Sequence, residues 1–193
     1  IPNGIKTIRP NACCNVTASV VHIPASVLEL EEDSLTSLNI KDVTVAMGNK
    51  IFRKDAQCIY RKKDKSLAVA IVDEHRNLYL SDSIEKITPE YSMVNYNIQK
   101  MDSMQHVVFP KNLKSVRYPA FTSVANAKNI YFTGTTPPKL TVPKNAKWMG
   151  YAELPIHCNL YVPKDSAKAY KAWYKKYECK DSVKWHTVDD STP

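Results

Sequence analysis

A short alternation of apolar and outward positions recurs along the chain. Val21-His22-Ile23, Val43-Thr44-Val45, Leu78-Tyr79-Leu80, Val107-Val108-Phe109, Ile130-Tyr131-Phe132 and Leu160-Tyr161-Val162 all follow it. Successive side chains of a strand point to opposite faces. Each run therefore predicts a short strand with its outer pair inward and its middle residue outward. The last apolar residues of these runs lie 22, 35, 29, 23 and 30 residues apart. A longer phrase travels with them, with apolar residues at its first, fifth and eighth places. The copies are Ile1, Ile5 and Ile8; Ile23, Val27 and Leu30; Leu80, Ile84 and Ile87; and Phe109, Leu113 and Val116. Repetition on this scale predicts a solenoid whose units bury their apolar sides only against one another.

The outer residues of the six runs, with the fifth and eighth residues of each phrase, are expected to line one continuous core. The longest step has a visible cause. Cys58-Ile59-Tyr60 and Leu67 to Ile71 flank a polar stretch, which predicts a hairpin over 58–71 grown out of one coil. The stretch from Gly134 to His157 reads as a long loop. After Pro163, Asp165 or Ser166 can cap a helix over 166–177. Tyr170, Trp173 and Tyr174 would face the last coil, and Lys168, Lys171 and Lys175 would face water. Such a helix would cover the last strand and keep its edge from recruiting another chain. Residues after 186 are polar and expected to be loosely ordered.

These phrases, together with Gly48-Asn49, Phe52, Ile59-Tyr60, Lys63-Asp64 and Leu67 and the ending Leu160-Tyr-Val-Pro-Lys-Asp-Ser, resemble the BspA-like leucine-rich repeat family. The resemblance spans nearly the whole chain. It implies one right-handed, β-rich leucine-rich repeat domain over 1–193 with about six strand-bearing coils. It also implies parallel strands on the concave side and irregular or short helical turns behind them. Extracytoplasmic placement, on a bacterial surface or secreted, follows from the same resemblance. The family shares no catalytic residues that could be carried over.

Charge changes the picture little. The net charge is +8. However, lysines dominate and are spread along the chain, and the densest cluster, Arg61 to Lys65, lacks interleaved stacking aromatics. No specific nucleic-acid partner is expected; weak attraction to acidic glycans or anionic surfaces is the functional reading of that cluster. No apolar run approaches the roughly 20 residues of a membrane span. The five cysteines do not form a disulfide framework, although a Cys158–Cys179 bridge is open. No metal-ligand spacing, nucleophile elbow or phosphate-binding glycine loop occurs, so no catalytic, metal or cofactor site is expected.

One constellation stands out. The middle residues His22, Thr44, Tyr79, Val108, Tyr131 and Tyr161 should form a column on the concave face. Asn77, His106, Asn129 and Asn159 should lie beside it. Tyr79, Tyr131, Tyr161, Asn77, Asn129, Asn159, His22 and His106 are thus the candidate binding surface. Flat rings with polar tips suit a protein or glycan partner. The expected function is non-catalytic recognition by a monomeric module. The alternative is a structural spacer of a larger surface protein with no ligand of its own, and an enzyme of unrecognised type is a distant third.

Overall fold

The computed structural model describes residues 1–14, 16–36, 40–88, 92–94, 104–118, 120–121, 124, 127–142, 154, 157–177 and 183–189. Most of the stretch read as a loop before His157 lies outside these residues, as does Cys179. In chain order the strands are β1 (Thr7–Ile8), β2 (Val20–Ile23), β3 (Glu29–Leu30), β4 (Asp42–Val45), β5 (Phe52–Asp55), β6 (Cys58–Arg61), β7 (Leu67–Ile71) and β8 (Asn77–Tyr79). They continue with β9 (Lys86–Ile87), β10 (Ser92–Val94), β11 (His106–Phe109), β12 (Ser115–Arg117), β13 (Asn129–Phe132), β14 (Lys139–Thr141) and β15 (Asn159–Pro163). A helix, α1 (Ala167–Lys176), and a last strand, β16 (Lys184–Val188), follow.

The six alternating runs are the strands β2, β4, β8, β11, β13 and β15. They pair in parallel, one repeat apart, with Val21 opposite Val43, Leu78 opposite Val107, Val107 opposite Ile130 and Ile130 opposite Leu160. A second set of short parallel strands runs behind them. Ile8 pairs with Leu30, and Ile87 with Val116 and then Leu140. The backs of these coils are therefore stranded where irregular or helical turns were expected. Alternation explains it, because each buried Ile87, Val116 or Leu140 has a polar neighbour such as Lys86, Ser115 or Lys139 turned the other way.

Most of the expected core residues are buried. Two are not. Ile5 is 41% exposed, although Ile8 of the same phrase is buried. Val45 is only partly buried at the end of β4. Nor is the core continuous. Val21, Ile23, Val27, Leu30 and Val43 belong to one cluster, and Leu78, Val107, Phe109, Ile130, Phe132 and Leu160 to another.

The wall between the two clusters is the inserted segment. β5, β6 and β7 pair antiparallel, and β10 adds in parallel, giving the order β10-β7-β6-β5. All five residues of β7 are buried. Cys58, Tyr60, Leu67 and Ala70 belong to the C-terminal cluster; Ile59, Ala68, Val69 and Ile71 belong to the N-terminal one. The hairpin expected over 58–71 is thus present, but it is a partition with apolar contacts on both faces rather than an excursion from one coil. A run without polar alternation, Leu67-Ala-Val-Ala-Ile71, is what a strand buried on both faces requires. The partition also carries the stacking across the long step. The Gln57 side-chain oxygen accepts from the Tyr79 N–H at 2.7 Å, and Lys65 O accepts from the Glu85 N–H at 3.0 Å. Asp55 accepts from the Ser81 and Ser83 hydroxyls of the next turn, and the Ser81 bond, followed by the Ser83 bond, holds its carboxyl below the usual range.

At the C-terminal end α1 docks through Tyr170, Trp173 and Tyr174, while Lys168, Lys171 and Lys175 are exposed. Tyr170 Oη donates to Gly134 O at 2.9 Å and Tyr177 Oη donates to Leu140 O at 3.1 Å. Gly134 has to be glycine, since a Cβ there would stand 2.9 Å from Lys111 O. Ser166 occupies the N-cap position but makes no side-chain capping bond. A 3-10 turn over Lys164–Ser166 precedes the helix instead, and the Ala167 N–H donates to Lys164 O. The segment after 183 departs from expectation. β16 pairs with β15 from Lys184 opposite Asn159 to Val188 opposite Pro163. Trp185 meets Tyr174 edge-on at 5.2 Å and thereby anchors this strand on the helix. The last edge of the sheet is accordingly β16. α1 covers apolar side chains of the coil and, among the described residues, meets β16 through ring contacts at Trp185.

Candidate functional site

The strand order β16-β15-β13-β11-β8 brings one row together on the outward face: Tyr79, Val108, Tyr131, Tyr161 and His186. Two residues earlier, Asn77, His106, Asn129, Asn159 and Lys184 form a second row. His22 is not among them. It pairs with Thr44 in a separate two-stranded sheet, with its Nδ1 at 2.9 Å from Thr44 Oγ1. The partition replaces the coil that would have joined the two sheets, so the single column read from spacing is divided.

The rings of the row stack on one another. Tyr131 and Tyr161 lie 4.3 Å apart at 10°, and Tyr161 and His186 lie 4.6 Å apart at 18°. His106 leans on Tyr131 at 5.8 Å. Parallel strands repeat about every 4.8 Å, so identical positions present rings at near stacking distance. The faces of Tyr161 are consequently both covered, and a sugar ring cannot stack on them. What points outward is a line of ring edges and phenol oxygens. Burial, and then the neighbouring Tyr161 and Tyr79, push the Tyr131 phenol above its ordinary range, so it remains a neutral hydrogen-bonding group.

The amides form a ladder of their own. Asn159 Nδ2 donates to Asn129 Oδ1 at 3.0 Å, Asn129 Nδ2 donates to Gln105 O at 3.0 Å, and His186 Nε2 lies 3.4 Å from Asn159 Oδ1. Asn77 turns instead to Asp73, its Nδ2 donating to Oδ2 at 3.2 Å. Tyr79 is 45% exposed, and His186 at the other end of the row is exposed as well. An open groove of about 750 Å³ adjoins the row at Val108 and follows the C-terminal ends of the strands past Leu80, Pro110, Thr133, Pro163 and Val188. Asp82 and Lys111, paired at 3.1 Å, supply charge there with Asp189.

Sequence reasoning missed His186, because a polar tail masked a short alternation, Trp185-His186-Thr187-Val188, that continues the repeat 25 residues after Tyr161. Gln57 was missed as well; nothing in its neighbours' pattern marks it. The basic cluster at the hairpin turn proves to be engaged internally. Arg61 donates to Leu67 O and Leu30 O, both at 3.2 Å, Lys62 reaches Asn49 O, and Lys65 lies over the Tyr60 ring.

Among the described residues no group of three or more His, Cys, Asp or Glu could hold a metal ion. Among them also, no helix is long and apolar enough to cross a membrane. Cys13, Cys14, Cys58 and Cys158 are free thiols. Burial pushes Cys58 up to about 12 and Cys158 up to about 11, whereas Cys14 is exposed. The thiolate is the reactive species. Brief alkylation of the native protein followed by peptide mapping should therefore label Cys14 and spare Cys58 and Cys158. Equal labelling of Cys58 would contradict this burial.

No family model matches the chain and no curated protein matches it. Among solved structures it is similar to a leucine-rich repeat protein from Eubacterium ventriosum, with 13% identity and a TM-score of 0.44, over 86% of this chain and 48% of that one. It is also similar to the pneumococcal vaccine antigen PcpA, with 11% identity and a TM-score of 0.43, over 95% of this chain and 60% of that one. The chain spans about half to three fifths of the length of these two proteins.

Proposed function

We propose that this chain is a non-catalytic recognition module of a bacterial surface or secreted protein. In this reading it is a leucine-rich repeat coil of the BspA-like kind. A protein or glycan partner crosses the row of Tyr79, Val108, Tyr131, Tyr161 and His186 and enters the adjoining groove. The observation that carries the reading is the meeting of that row with the groove at Val108. Exposed ring edges and phenols beside apolar Leu80, Val108, Pro110 and Pro163 combine contact area with polar tips, the mixture typical of binding surfaces. Ring edges already held by stacking lose little freedom when a partner docks. A second reading, a spacer with no ligand of its own, is favoured by a different observation: Asn159 bonds Asn129, and Tyr131, Tyr161 and His186 stack on one another.

The two readings separate on one experiment. The immobilised protein is screened against host-matrix proteins and a glycan array, and any ligand is retested on Tyr79→Ala/Val108→Lys. These positions lie outside the stacked rings, and circular dichroism checks that the variant keeps the fold. Affinity should fall at least about tenfold, as for loss of a buried interface anchor. No ligand in the screen would favour the spacer, whereas unchanged affinity for a ligand would overturn the row as its binding surface.

A further inference from the structure

We propose that the outer face of α1 is a second binding surface, and that it takes a linear acidic polysaccharide carrying sulfate or carboxylate groups. The segment from Lys164 to Lys176 carries five lysines against one carboxylate, Asp165. At 3.6 residues per turn, Lys168, Lys171 and Lys175 fall within an arc of about 60°, and Lys168 to Lys175 spans about 10 Å along the axis. Lys164 extends this stripe from the preceding turn. Ala169 and Ala172 are exposed on one side of the stripe. Their small side chains leave room for a chain to lie close to the helix.

Several lysines elsewhere are engaged, although exposed Lys6, Lys41, Lys50 and Lys63 are scattered singly and do not share one face. Lys54 pairs with Asp42, Lys111 with Asp82 and Lys114 with Glu85. The cluster at Arg61 to Lys65 bonds backbone carbonyls and a ring. Among the described residues, no carboxylate forms an ion pair with Lys164, Lys168, Lys171 or Lys175. Helix stability does not account for the stripe. Like charges three and four residues apart repel, and cations in the first turn oppose the helix dipole. Lys175 and Lys176 suit the C-terminal end, but Lys164 and Lys168 stand at the wrong end, with no acidic residue in the first turn of α1. A polyanion laid along the stripe removes that repulsion. The exposed face has no aromatic residue for base stacking and no large apolar side chain for membrane insertion, which favours a polysaccharide over single-stranded nucleic acid or a lipid surface. Point-charge ammonium groups suit separated single anions.

The test uses the full chain and a heparin-derived oligosaccharide as probe, at physiological ionic strength. Wild type should bind, with affinity falling steeply as salt rises. The variant Lys164→Gln/Lys168→Gln/Lys171→Gln/Lys175→Gln should bind about tenfold or more weakly, the combined effect of four exposed ion pairs. The same four positions changed to Arg should retain binding. A control, Lys6→Gln/Lys41→Gln/Lys50→Gln/Lys63→Gln, removes equal charge from exposed sites elsewhere and should bind nearly as wild type. Circular dichroism checks the helix, because Lys171 also lies over the Trp185 ring; if the fourfold variant fails to fold, Lys164→Gln/Lys168→Gln carries the same comparison. Equal loss in the control would reduce the effect to net charge and overturn the proposal. So would no binding by wild type. Single-stranded DNA of equal charge, or phosphatidylserine vesicles, bound as tightly as the oligosaccharide would overturn the choice of polysaccharide.

Discussion

Replacing Asn49 by Ala should lower the unfolding free energy by about 4 kcal/mol, the sum of four hydrogen bonds at about 1 kcal/mol each. Asn49 is 1% exposed in the link between β4 and β5. Its Nδ2 donates to Pro24 O at 2.9 Å and to Val27 O at 3.0 Å. Its Oδ1 accepts from the Ile51 N–H at 2.9 Å and the Phe52 N–H at 2.8 Å. One amide thus closes the turn of the second repeat phrase and starts the partition sheet. Truncation removes the partner of Val27 O and of the Ile51 and Phe52 N–H groups, and one of the two donors to Pro24 O, in a largely buried site, and this is where the loss arises. Urea denaturation followed by tryptophan fluorescence would measure it. A loss under about 1 kcal/mol would show that the loops on either side relax and reach water.

Asn49→Asp sharpens the same experiment. The acceptor side is kept, but the second oxygen then faces two carbonyls with no donor. Burial and these carbonyls should raise the carboxyl pKa in the folded state above its unfolded value. The folded state then binds the proton more tightly, so stability should be greatest below the unfolded pKa and fall as pH rises through the folded one. The aspartate variant should accordingly resemble the alanine variant at neutral pH and recover part of its stability at pH about 4. A variant equally unstable at both values would contradict the assigned geometry.

Phe132→Ala should cost about 3–5 kcal/mol, the usual range for removing a buried aromatic ring. Phe132 is 2% exposed and joins the coil to the helix. It stacks on Phe109 at 4.8 Å, lies 5.3 Å from Tyr170, and meets Trp173 edge-on at 5.7 Å and Phe121 at 6.3 Å. Its loss opens a cavity under α1. Amide exchange should therefore rise in α1 and β16 more than in the N-terminal cluster. Phe132→Leu, which keeps most of the volume but loses the ring contacts, should cost clearly less. Equal costs for the two variants would assign the effect to ring geometry rather than to the cavity.

The alternation of six short runs is a local property, and one face per strand follows from backbone geometry wherever the strand sits. The spacing between them was equally legible, because parallel stacking pairs equivalent positions of successive copies. Val107 therefore had to meet Ile130, as it does. The amphipathic spacing of Tyr170, Trp173 and Tyr174 likewise announced the buried side of α1. What the tertiary structure decided lies where a residue's surroundings come from distant parts of the chain. Leu67 to Ile71 reads as apolar in isolation, and only the cores on both sides make it a partition. His186 is polar and near the chain end, and only its register with Tyr161 places it in the row. Tyr131, Tyr161, Asn129 and Asn159 were legible as a row but not as a ladder that covers its own ring faces and bonds its own amides. Periodicity records which side of a strand a residue takes. Whether that side meets water, another core or its own repeat depends on long-range packing that no local pattern encodes.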